Sequence, residues 1–524
     1  MPNLITGFGW TGLKRKGRVL QALVLLSSLG LTAVAAPPAA QAQPALAAAG
    51  EWRAAIDAAW GPGLPTARKL EIFDAFWNTI DQRFAAFQGI DVDWTALRER
   101  YRPEIAAGVS RGRFAAIMGQ LSLALRDSHT MAIDIAIPTA PRVPGLPLLV
   151  LRGPGNNNFG ACATAQPDGS ALIYAVAPAH PLGLKPGDRI LGYEGRPWRE
   201  WYPELLAAEL PIAGAWGSSP SSMEHTIAQS APVNWHLFDT IDIWRHDSGT
   251  VEHHATALLN TTPQLRSPMC TEELAVPGVP KPAALSDLVT WGVIEGTRIG
   301  YIYVTAWQGD AGTRFEQAIR ELTQQRQTDG LIIDFRFNRG GNMFLSDAGL
   351  GMLFDQPVAT IGFAERADPN DHHTLRPFVG EETQLCGITW RGYAPSLYVI
   401  DMCDRSHDPA AYDRPIAVLT GPQAGSSGDQ VALRMTFHPR ARTFGKSTAT
   451  AFNAPCTLNL DPDWVSRYAC TDAYRISQPH NYLTHDEFPV DEPIWLQPHD
   501  VAQGKDTVVD AAVRWIGSQT PQNP

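Results

Sequence analysis

The carboxy-terminal part of the chain, from near Trp291 onward, alternates apolar strand segments with helical segments, and this alternation restricts the fold more than any other feature. Residues 331–335 form an almost continuous apolar run, which is typical of a strand buried in a parallel sheet. Other segments of both kinds are strands at 299–304 and 416–419 and helices at 315–322, 343–354 and 430–437. The pattern predicts an α/β core at residues 286–517, with helices packed on a mixed sheet, and a short tail at 518–524.

The region between residues 43 and 137 is predicted to be helical. Apolar residues recur every three to four positions over residues 72–84, which is the spacing of an amphipathic helix. A strand pattern of alternating apolar residues then begins at Met131. Ser128 and His129 are therefore expected in a loop between a helix and a strand, where functional groups are often held.

Residues 138–285 are predicted to form a β-rich module. A Pro- and Gly-rich stretch opens it at residues 138–155, and Pro186-Gly187-Asp188 makes a turn that leads into a short apolar strand. Three regions suit a chain of 524 residues, because one hydrophobic core rarely supports that length.

The first 42 residues are predicted to be a signal peptide. Basic residues at positions 14–18 precede an apolar run at 19–36, and Ala40-Gln41-Ala42 offers the small residues that a signal peptidase requires. A membrane anchor is the alternative, because the apolar run is long enough for one. Cleavage predicts an exported protein, periplasmic or secreted, without a stable membrane span.

Six cysteines follow this segment, and outside the cytoplasm an even number indicates disulfide bonds. Short loops would join Cys386 to Cys403 and Cys456 to Cys470, although many other pairings are possible. No Cys-x-x-Cys or zinc-like spacing occurs, so no metal and no cofactor is expected. The net charge of −11 gives no basic footprint for nucleic acid.

A Gly-rich turn at residues 421–429 contains a candidate nucleophile. It lies between a strand and a helix and exposes Ser426 at the helix amino terminus, where free N–H groups can stabilise an oxyanion. The structural alternative is a capping box formed by Ser426 and Asp429. A second loop carries Gly340 and Gly341, which allow close backbone approach or positive φ; its alternative is an ordinary strand-to-helix turn.

Several segments, taken in order, resemble the serine peptidase family of the carboxy-terminal processing (tail-specific) proteases and the tricorn protease core. These segments are residues 125–130, 183–191, 330–341, 424–429, 440–448 and 487–512. The resemblance runs from about Ile72 to Ile516. It implies a ClpP/crotonase-like peptidase core, and it implies that residues 138–285 contain a PDZ-like domain.

The family divides by its general base. Tail-specific members use a lysine, but the gapless register from Ser426 places Ala451 where that lysine belongs. The match of Lys446 to the lysine segment of those members is therefore interpreted as a coincidence, and the Lys446 side chain is expected to be solvated. Tricorn-like members use a histidine beside a serine, and Ser128-His129 matches that pair. Imidazole is half-titrated near neutral pH, so His129 can accept the Ser426 proton.

The resemblance to the tricorn-like branch implies the remaining roles. Ser128 and Glu487, or Asp486 in place of Glu487, would orient the histidine. The backbone N–H groups of Ser427 and Gly340 would form the oxyanion hole, with Gly341 as the neighbouring choice.

The function implied is that of a serine-type endopeptidase that hydrolyses polypeptides through an acyl-enzyme on Ser426. The PDZ-like domain would bind the carboxy terminus of a polypeptide substrate. One alternative is a catalytically inactive protein on the same scaffold that binds a peptide or a small hydrophobic molecule. An esterase is another, although the segment at Ser426 lacks the Gly-x-Ser-x-Gly pattern.

Overall fold

The computed structural model describes residues 49–151, 159–260, 270–354, 358, 360–377, 383–385, 388–390 and 412–519. The chain divides into two units, Met1–Gln43 and Pro44–Pro524, and every described residue belongs to the second. The predicted signal peptide, Cys386 and Cys403 lie outside the described residues. Among the helices that are described, none is both long and apolar enough to cross a membrane.

Helices dominate the amino-terminal region, as predicted. They are α1 (Ala49–Trp60), α2 (Thr66–Arg83), α3 (Trp94–Ala107) and α4 (Arg111–Ala124), followed by strand β1 (Met131–Asp134) and the short helix α5 (Ala136–Thr139). Helix α2 buries the apolar side that its spacing predicts, including Phe73, Phe76 and Ile80. Ser110 caps α4 by accepting the N–H of Arg113. The loop after α4 carries Ser128 and His129 into β1.

A β-rich module follows. Its elements are β2 (Leu149–Val150), β3 (Ala161–Ala165), β4 (Ala171–Val176), β5 (Arg189–Tyr193), β6 (Arg196–Pro197), α6 (Trp198–Ala207), β7 (Ile212–Ala213), α7 (Pro220–Gln229), β8 (Thr240–Trp244), β9 (Val251–Ala255) and α8 (Ala257–Asn260). The main sheet is antiparallel in the order β3-β4-β5-β8-β9, with β6 paired to β5. Its own apolar cluster includes Tyr193, Trp198 and Trp235.

The carboxy-terminal region alternates strands and helices. Its elements are β10 (Val289–Val293), β11 (Ile299–Val304), α9 (Ala311–Arg320), β12 (Gly330–Asp334), α10 (Asp347–Gly351), β13 (Ile361–Arg366), β14 (Leu375–Pro377), β15 (Thr383–Leu385), β16 (Ile388–Trp390), β17 (Ile416–Thr420), α11 (Ser427–Met435), β18 (Ala441–Gly445), β19 (Pro455–Thr457), β20 (Trp464–Ala469), β21 (Asp472–Arg475), β22 (Gln478–Tyr482), β23 (Glu492–Pro493), α12 (Pro498–Ala502) and α13 (Thr507–Gln519).

The central sheet of this region has the order β10-β11-β12-β17-β18-β23. Strand β10 is antiparallel to β11, and the other neighbours are parallel, so the sheet is mixed. Residues of β12 and β17 are fully buried, as their apolar runs predict. The predicted α/β fold class is confirmed.

The predicted helix at residues 343–354 is shorter than expected. The structure has a 3₁₀ turn at Met343–Ser346 and then only α10. Gly349 and Gly351 explain the early end, because glycine weakens a helix interior.

Strand pairing ties the amino-terminal region to the core, and disulfides link segments within single regions. Strand β1 pairs antiparallel with β20, with Met131 opposite Arg467, so the loop that carries His129 lies against the core. Disulfides join Cys162 to Cys270 and Cys456 to Cys470. The second was predicted from its short loop, whereas nothing in the spacing indicated the first.

Candidate active site

Ser426 occupies the predicted turn between β17 and α11, in a strained backbone conformation. Its φ is 59° and its ψ is −126°, a region that residues with a side chain rarely adopt. Its hydroxyl makes no capping hydrogen bond to α11. The backbone N–H of Ser426 lies near the buried carboxylate of Asp429 but makes no hydrogen bond to it. The capping box therefore does not form, and the Ser426 hydroxyl is left available for chemistry.

Asp429 anchors this turn to the segment after β18. Its carboxylate accepts the N–H of Thr450 at 3.0 Å. Burial raises the pKa of Asp429 to about 7, although nearby hydroxyl and N–H groups act in the opposite direction. The buried carboxylate of Asp429 thus fixes the turn to the segment that contains Thr450.

The second Gly-rich loop lies directly against the serine, because β12 and β17 are parallel neighbours and both loops leave their carboxyl ends. The N–H of Gly425 donates to the Asn338 carbonyl at 2.9 Å. A Cβ on Gly340, whose φ is 85°, would lie 2.5 Å from Cβ of Ser426. Only glycine allows this approach.

The oxyanion donors can be compared by what their N–H groups already bind. The N–H of Gly340 donates to Oδ1 of Asn338 at 3.0 Å. Within the described residues, the N–H groups of Gly341 and Ser427 have no acceptor. The geometry therefore agrees with Ser427 as a donor and favours Gly341 over the expected Gly340.

His129 is buried and its ring is held by an amide. Its Nδ1 lies 2.6 Å from Oδ1 of Asn453, and Nδ2 of Asn453 donates to Asp127 at 3.0 Å. That second bond fixes the amide orientation, so Nδ1 of His129 carries the proton and Nε2 has a free lone pair. Burial lowers the pKa of His129, although the charge of Asp127 opposes this. The imidazole is thus neutral at neutral pH, as a general base requires.

A buried polar network continues behind Asn453. The Asp127 carboxylate also accepts the backbone N–H of His129 at 3.2 Å. Nδ2 of Asn453 lies 3.4 Å from Oγ1 of Thr484, which donates to Asp472. Burial raises the pKa of Asp472 to about 7. The network fixes the imidazole from four separate segments of the chain.

Three hydrogen bonds connect the His129 loop to the Ser426 turn. The N–H of Ser128 reaches Oγ of Ser218 at 3.4 Å, and the N–H of Ser218 donates to the Ala449 carbonyl at 2.8 Å. The N–H of Ala449 in turn donates to the Ala424 carbonyl at 2.7 Å. These bonds link two loops whose residues are about three hundred positions apart in the chain, while no hydrogen bond between His129 and Ser426 themselves is found in the described residues.

The expected chain from Glu487 through Ser128 to His129 does not form. Glu487 accepts the N–H of Ser221 at 2.9 Å and the Ser221 hydroxyl at 2.5 Å, both at the start of α7. The orienting position is occupied by Asn453, and no hydrogen bond of the Ser128 side chain is found in the described part of the chain. Burial raises the pKa of Asp486, the alternative carboxylate, which also makes no bond to Ser128.

Lys446 is not solvated, contrary to expectation. Its Nζ donates to the Ala165 carbonyl at 3.0 Å and lies 3.3 Å from Nδ1 of His225. Burial lowers the pKa of Lys446 to about 8. It lines a cleft of about 840 Å³ between the β-rich module and the core, and that lining does not include Ser426. No sequence pattern indicated this burial, because the contacts of Lys446 come from distant segments.

Sequence reasoning missed Asn453 and Asp127 as parts of the site. Asn453 follows β18 in a segment without regular structure, and an isolated Asn has no recognisable spacing to a catalytic partner. Asp127 lies two positions before His129, within the segment 125–130 that resembles the family, and that position was its signal. Across the described residues, no group of three or more His, Cys, Asp or Glu side chains could hold a metal ion.

Models of two protein families match parts of this chain. The model of peptidase family S41 matches residues 298–483, and the model of the tricorn protease C1 domain matches residues 65–122. Residues 298–483 form a peptidase family S41 domain. The predicted family resemblance is confirmed. The S41 domain runs from β11 to β22 and contains Ser426, Gly341 and Asn453, whereas His129 comes from outside both matched segments.

Two solved structures of CPAF show the same fold. Mature CPAF in complex with lactacystin has a TM-score of 0.57 at 13% identity, covering 86% of this chain and 98% of that one. A point mutant of CPAF has a TM-score of 0.58 at 13% identity, covering 87% and 99%. The photosystem II D1 C-terminal processing protease has a TM-score of 0.41 at 16% identity, covering 87% and 98%. No curated protein matches the chain. The S41 domain supports a protease as the general function.

Proposed function

We propose that this protein is an exported serine-type endopeptidase in which Ser426 is the nucleophile and His129 the general base. The observation that carries the proposal is the state of Ser426: it is strained, makes no capping bond and faces the glycine loop at Gly340. Backbone strain of this kind persists where the surrounding structure enforces it, and it is frequent at active sites.

In the proposed reaction, Oγ of Ser426 attacks a peptide carbonyl carbon and Nε2 of His129 takes the hydroxyl proton. The tetrahedral oxyanion binds the N–H groups of Ser427 and Gly341, and removal of one such donor typically costs about 2.7–4 kcal/mol of transition-state stabilisation. His129 then gives the proton to the leaving amine. Water, deprotonated by His129, hydrolyses the acyl-enzyme and restores the Ser426 hydroxyl.

Asn453 serves as the positioning residue in this scheme, and no catalytic carboxylate contacts the imidazole directly. Asn453 holds the Nδ1–H tautomer, which is the role that a carboxylate has in Ser-His-Asp triads and an Asn in Cys-His-Asn sites. A neutral amide does not stabilise the imidazolium by charge. Asp127 supplies that charge, because its carboxylate lies one hydrogen bond beyond Asn453 and raises the pKa of His129.

The proposal includes a substrate and a location. Polypeptides are the substrates that suit an S41 domain, and the β-rich module at residues 138–285 would bind a polypeptide carboxy terminus in the manner of a PDZ domain. Export is supported by the sequence of residues 1–42 and by two disulfides, which persist in oxidising compartments.

A fluorophosphonate probe tests the nucleophile and the base. We expect the wild-type protein to be labelled, and we expect labelling to be lost in Ser426→Ala and reduced at least 100-fold in His129→Ala, as removal of a triad member predicts. The controls are Ser248→Ala and His499→Ala, which change the same residue types at exposed or partly exposed positions on the surface. An unlabelled wild-type protein that binds peptides would instead support a binding protein on this scaffold.

A further inference from the structure

A second group of hydrogen-bonded titratable side chains lies apart from Ser426. Nζ of Lys446 lies 3.3 Å from Nδ1 of His225, and Nε2 of that ring lies 2.7 Å from Oε1 of Glu272. The side chains of His225 and Glu272 are almost completely buried. An amine, an imidazole and a carboxylate therefore follow one another in the order of a serine triad, with the amine in the place of the hydroxyl.

Glu272 is held in its ionised form. Its Oε1 accepts hydrogen bonds from the Thr164 hydroxyl at 2.8 Å and from Nε2 of Gln229 at 3.0 Å. Burial acts to raise the pKa of Glu272, but the charge and hydrogen bonds of its neighbours, His225 first among them, lower it overall. An ionised carboxylate only accepts hydrogen bonds, so His225 carries its proton on Nε2 and presents the lone pair of Nδ1 to the amine.

The amine lies at the wall of the cleft between the β-rich module and the core. Lys446 is partly exposed and lines this cleft of about 840 Å³ together with His225. Its Nζ donates to the Ala165 carbonyl at 3.0 Å and lies 5.1 Å from the ring centroid of Trp495. Other apolar side chains of the lining are Trp198, Phe488, Val490, Ile494 and Leu496. The cleft therefore offers apolar walls and one amine to a small molecule.

The other described lysines are placed differently. Nζ of Lys69 is buried and donates to two backbone carbonyls, and Nζ of Lys281 also donates to a backbone carbonyl. Lys185 and Lys505 are exposed. Among the lysines in the described ranges, Lys446 is thus the one whose amine contacts an imidazole at the wall of a cleft.

This environment makes the Lys446 amine a nucleophile. Burial lowers the pKa of Lys446 to about 8, so roughly a tenth of the amine is neutral at pH 7, whereas an ordinary lysine is almost entirely protonated. A neutral lysine amine in a partly desolvated site attacks carbonyl compounds and forms Schiff bases with them. The lone pair on Nδ1 of His225 is in position to take a proton from the attacking nitrogen.

We propose that Lys446 is a nucleophile that forms an imine with aldehydes of apolar body, with His225 as its proton acceptor. Glu272 is a positioning residue, because it fixes the tautomer of His225 and does not touch the amine. The proposal concerns a reaction apart from the peptidase proposed at Ser426, and it does not rest on that function.

The reaction needs no further reactant. Nζ of Lys446 attacks the aldehyde carbon, and the C=O double bond becomes a single bond in a carbinolamine. Both protons of the neutral amine pass to the former carbonyl oxygen by way of the His225 imidazole. The oxygen leaves as water when the C=N bond forms, so the products are one imine and one water.

Reductive alkylation with benzaldehyde and cyanoborohydride tests the proposal, because reduction converts the imine to a stable benzylamine that peptide mapping by mass spectrometry locates. At pH 7 we expect modification of Lys446 to be about tenfold faster or more than that of Lys185 and Lys505, the exposed lysines of the same molecule. In concentrated urea this difference should disappear, because unfolding removes the cleft.

A variant tests the role of the imidazole. His225→Gln keeps a hydrogen-bonding side chain near the amine but cannot take up its proton. We expect it to slow modification of Lys446 severalfold and to leave the rates at Lys185 and Lys505 unchanged. The control is His253→Gln, which changes an exposed histidine on β9, and thermal unfolding compares the stability of both variants with that of the wild type.

Each contrary outcome is distinct. Equal modification of Lys446 and the two exposed lysines in the native wild-type protein would overturn the proposal, and this comparison needs no variant. A preference that persists in urea would also overturn it, because the local sequence and not the cleft would be its source. A folded His225→Gln protein that reacts at Lys446 at the wild-type rate would remove His225 as the proton acceptor. None of these outcomes depends on the labelling of Ser426, so this proposal and the proposed function fail independently.

Discussion

At the scale of single residues, the site depends on how one imidazole is held. The hydrogen bond from His129 to Asn453 is 2.6 Å long, and the amide is itself fixed by Asp127. Orientation and tautomer are therefore decided by Asn453 and Asp127, which act on the ring through Nδ1 and leave Nε2 free. The geometry resembles a catalytic triad in which an amide replaces the carboxylate.

Removing the amide tests its role. We expect Asn453→Ala to reduce kcat/KM by about 10- to 100-fold, because the imidazole loses its fixed tautomer. The fluorophosphonate labelling rate should fall by a similar factor. Asn370→Ala, an exposed Asn in a turn, is the control for the substitution itself. Unchanged labelling in a folded Asn453→Ala protein would show that Asn453 has no positioning role.

The lowered pKa of His129 predicts the pH at which activity is lost on the acid side of the pH–activity profile. A neutral imidazole is needed as base, so activity should persist as pH falls through about 6.5, the usual histidine value, and be lost only below it. The stability gained by burying the neutral ring is likewise present above about pH 6.5 and decreases as pH falls, because the unfolded state takes up the proton first.

The pH dependence of the labelling rate measures this loss of activity. The buried Asp472, with a pKa of about 7, lies in the same network and needs a separate control. Asp472→Asn keeps an oxygen acceptor for Thr484 but cannot titrate. If the pH of half-maximal labelling is the same in Asp472→Asn as in the wild type, the titrating group is His129 and not Asp472. A half-maximal rate at or above pH 6.5 in both proteins would contradict the prediction.

At the scale of elements, two loops at the carboxyl ends of β12 and β17 make the site. The hydroxyl of Ser427 donates to the Gly341 carbonyl at 2.8 Å, and the N–H of Gly425 donates to Asn338. The first turn of α11 and the glycine loop therefore form one rigid unit. Its donors are fixed before a substrate binds, which is the condition for effective oxyanion stabilisation.

Adding a methyl group to this loop should separate the two elements. In Gly340→Ala, the new Cβ would lie 2.5 Å from Cβ of Ser426 and 2.7 Å from the Gly425 carbonyl oxygen. We expect the labelling rate to fall by about 100- to 1000-fold, as displacement of an oxyanion donor predicts. The control is Gly296→Ala, which also has a positive φ of 75° but no atom within 4 Å. Equal labelling of the two variants would contradict this arrangement of the loops.

At the scale of the whole molecule, disulfides join segments that the fold has already brought together. Cys162 lies in β3 of the β-rich module and is bonded to Cys270, 108 positions later, whereas Cys456 and Cys470 are separated by 14 positions. A crosslink stabilises mainly by restricting the unfolded chain, and a longer loop is restricted more.

Paired Cys→Ser variants compare the two crosslinks. We expect loss of the Cys162–Cys270 bond to lower the free energy of unfolding by about 4–5 kcal/mol, and loss of the Cys456–Cys470 bond by about 3 kcal/mol. Guanidinium unfolding of the oxidised proteins measures both. If the variant without Cys456 and Cys470 were the less stable of the two, restriction of the unfolded chain would not be the main source of the stabilisation.

The sequence by itself predicted most of the elements and named the candidate catalytic groups. Buried apolar runs predicted β12 and β17, turn residues predicted the loops after them, and these signals are local because periodicity and backbone freedom act within a few residues. Ser426, His129 and the glycine loop could therefore be named before the fold was known. The short loop between Cys456 and Cys470 was recognisable for the same reason.

Only the tertiary structure decided the partners. Contacts between residues far apart in the chain place Asn453 beside His129, bind Glu487 to Ser221 and bury Lys446 against His225. Hydrogen-bond partners and burial are set by packing, and packing joins segments whose sequences carry no sign of each other. For that reason a candidate catalytic residue could be proposed from its motif, but the group that holds it could not.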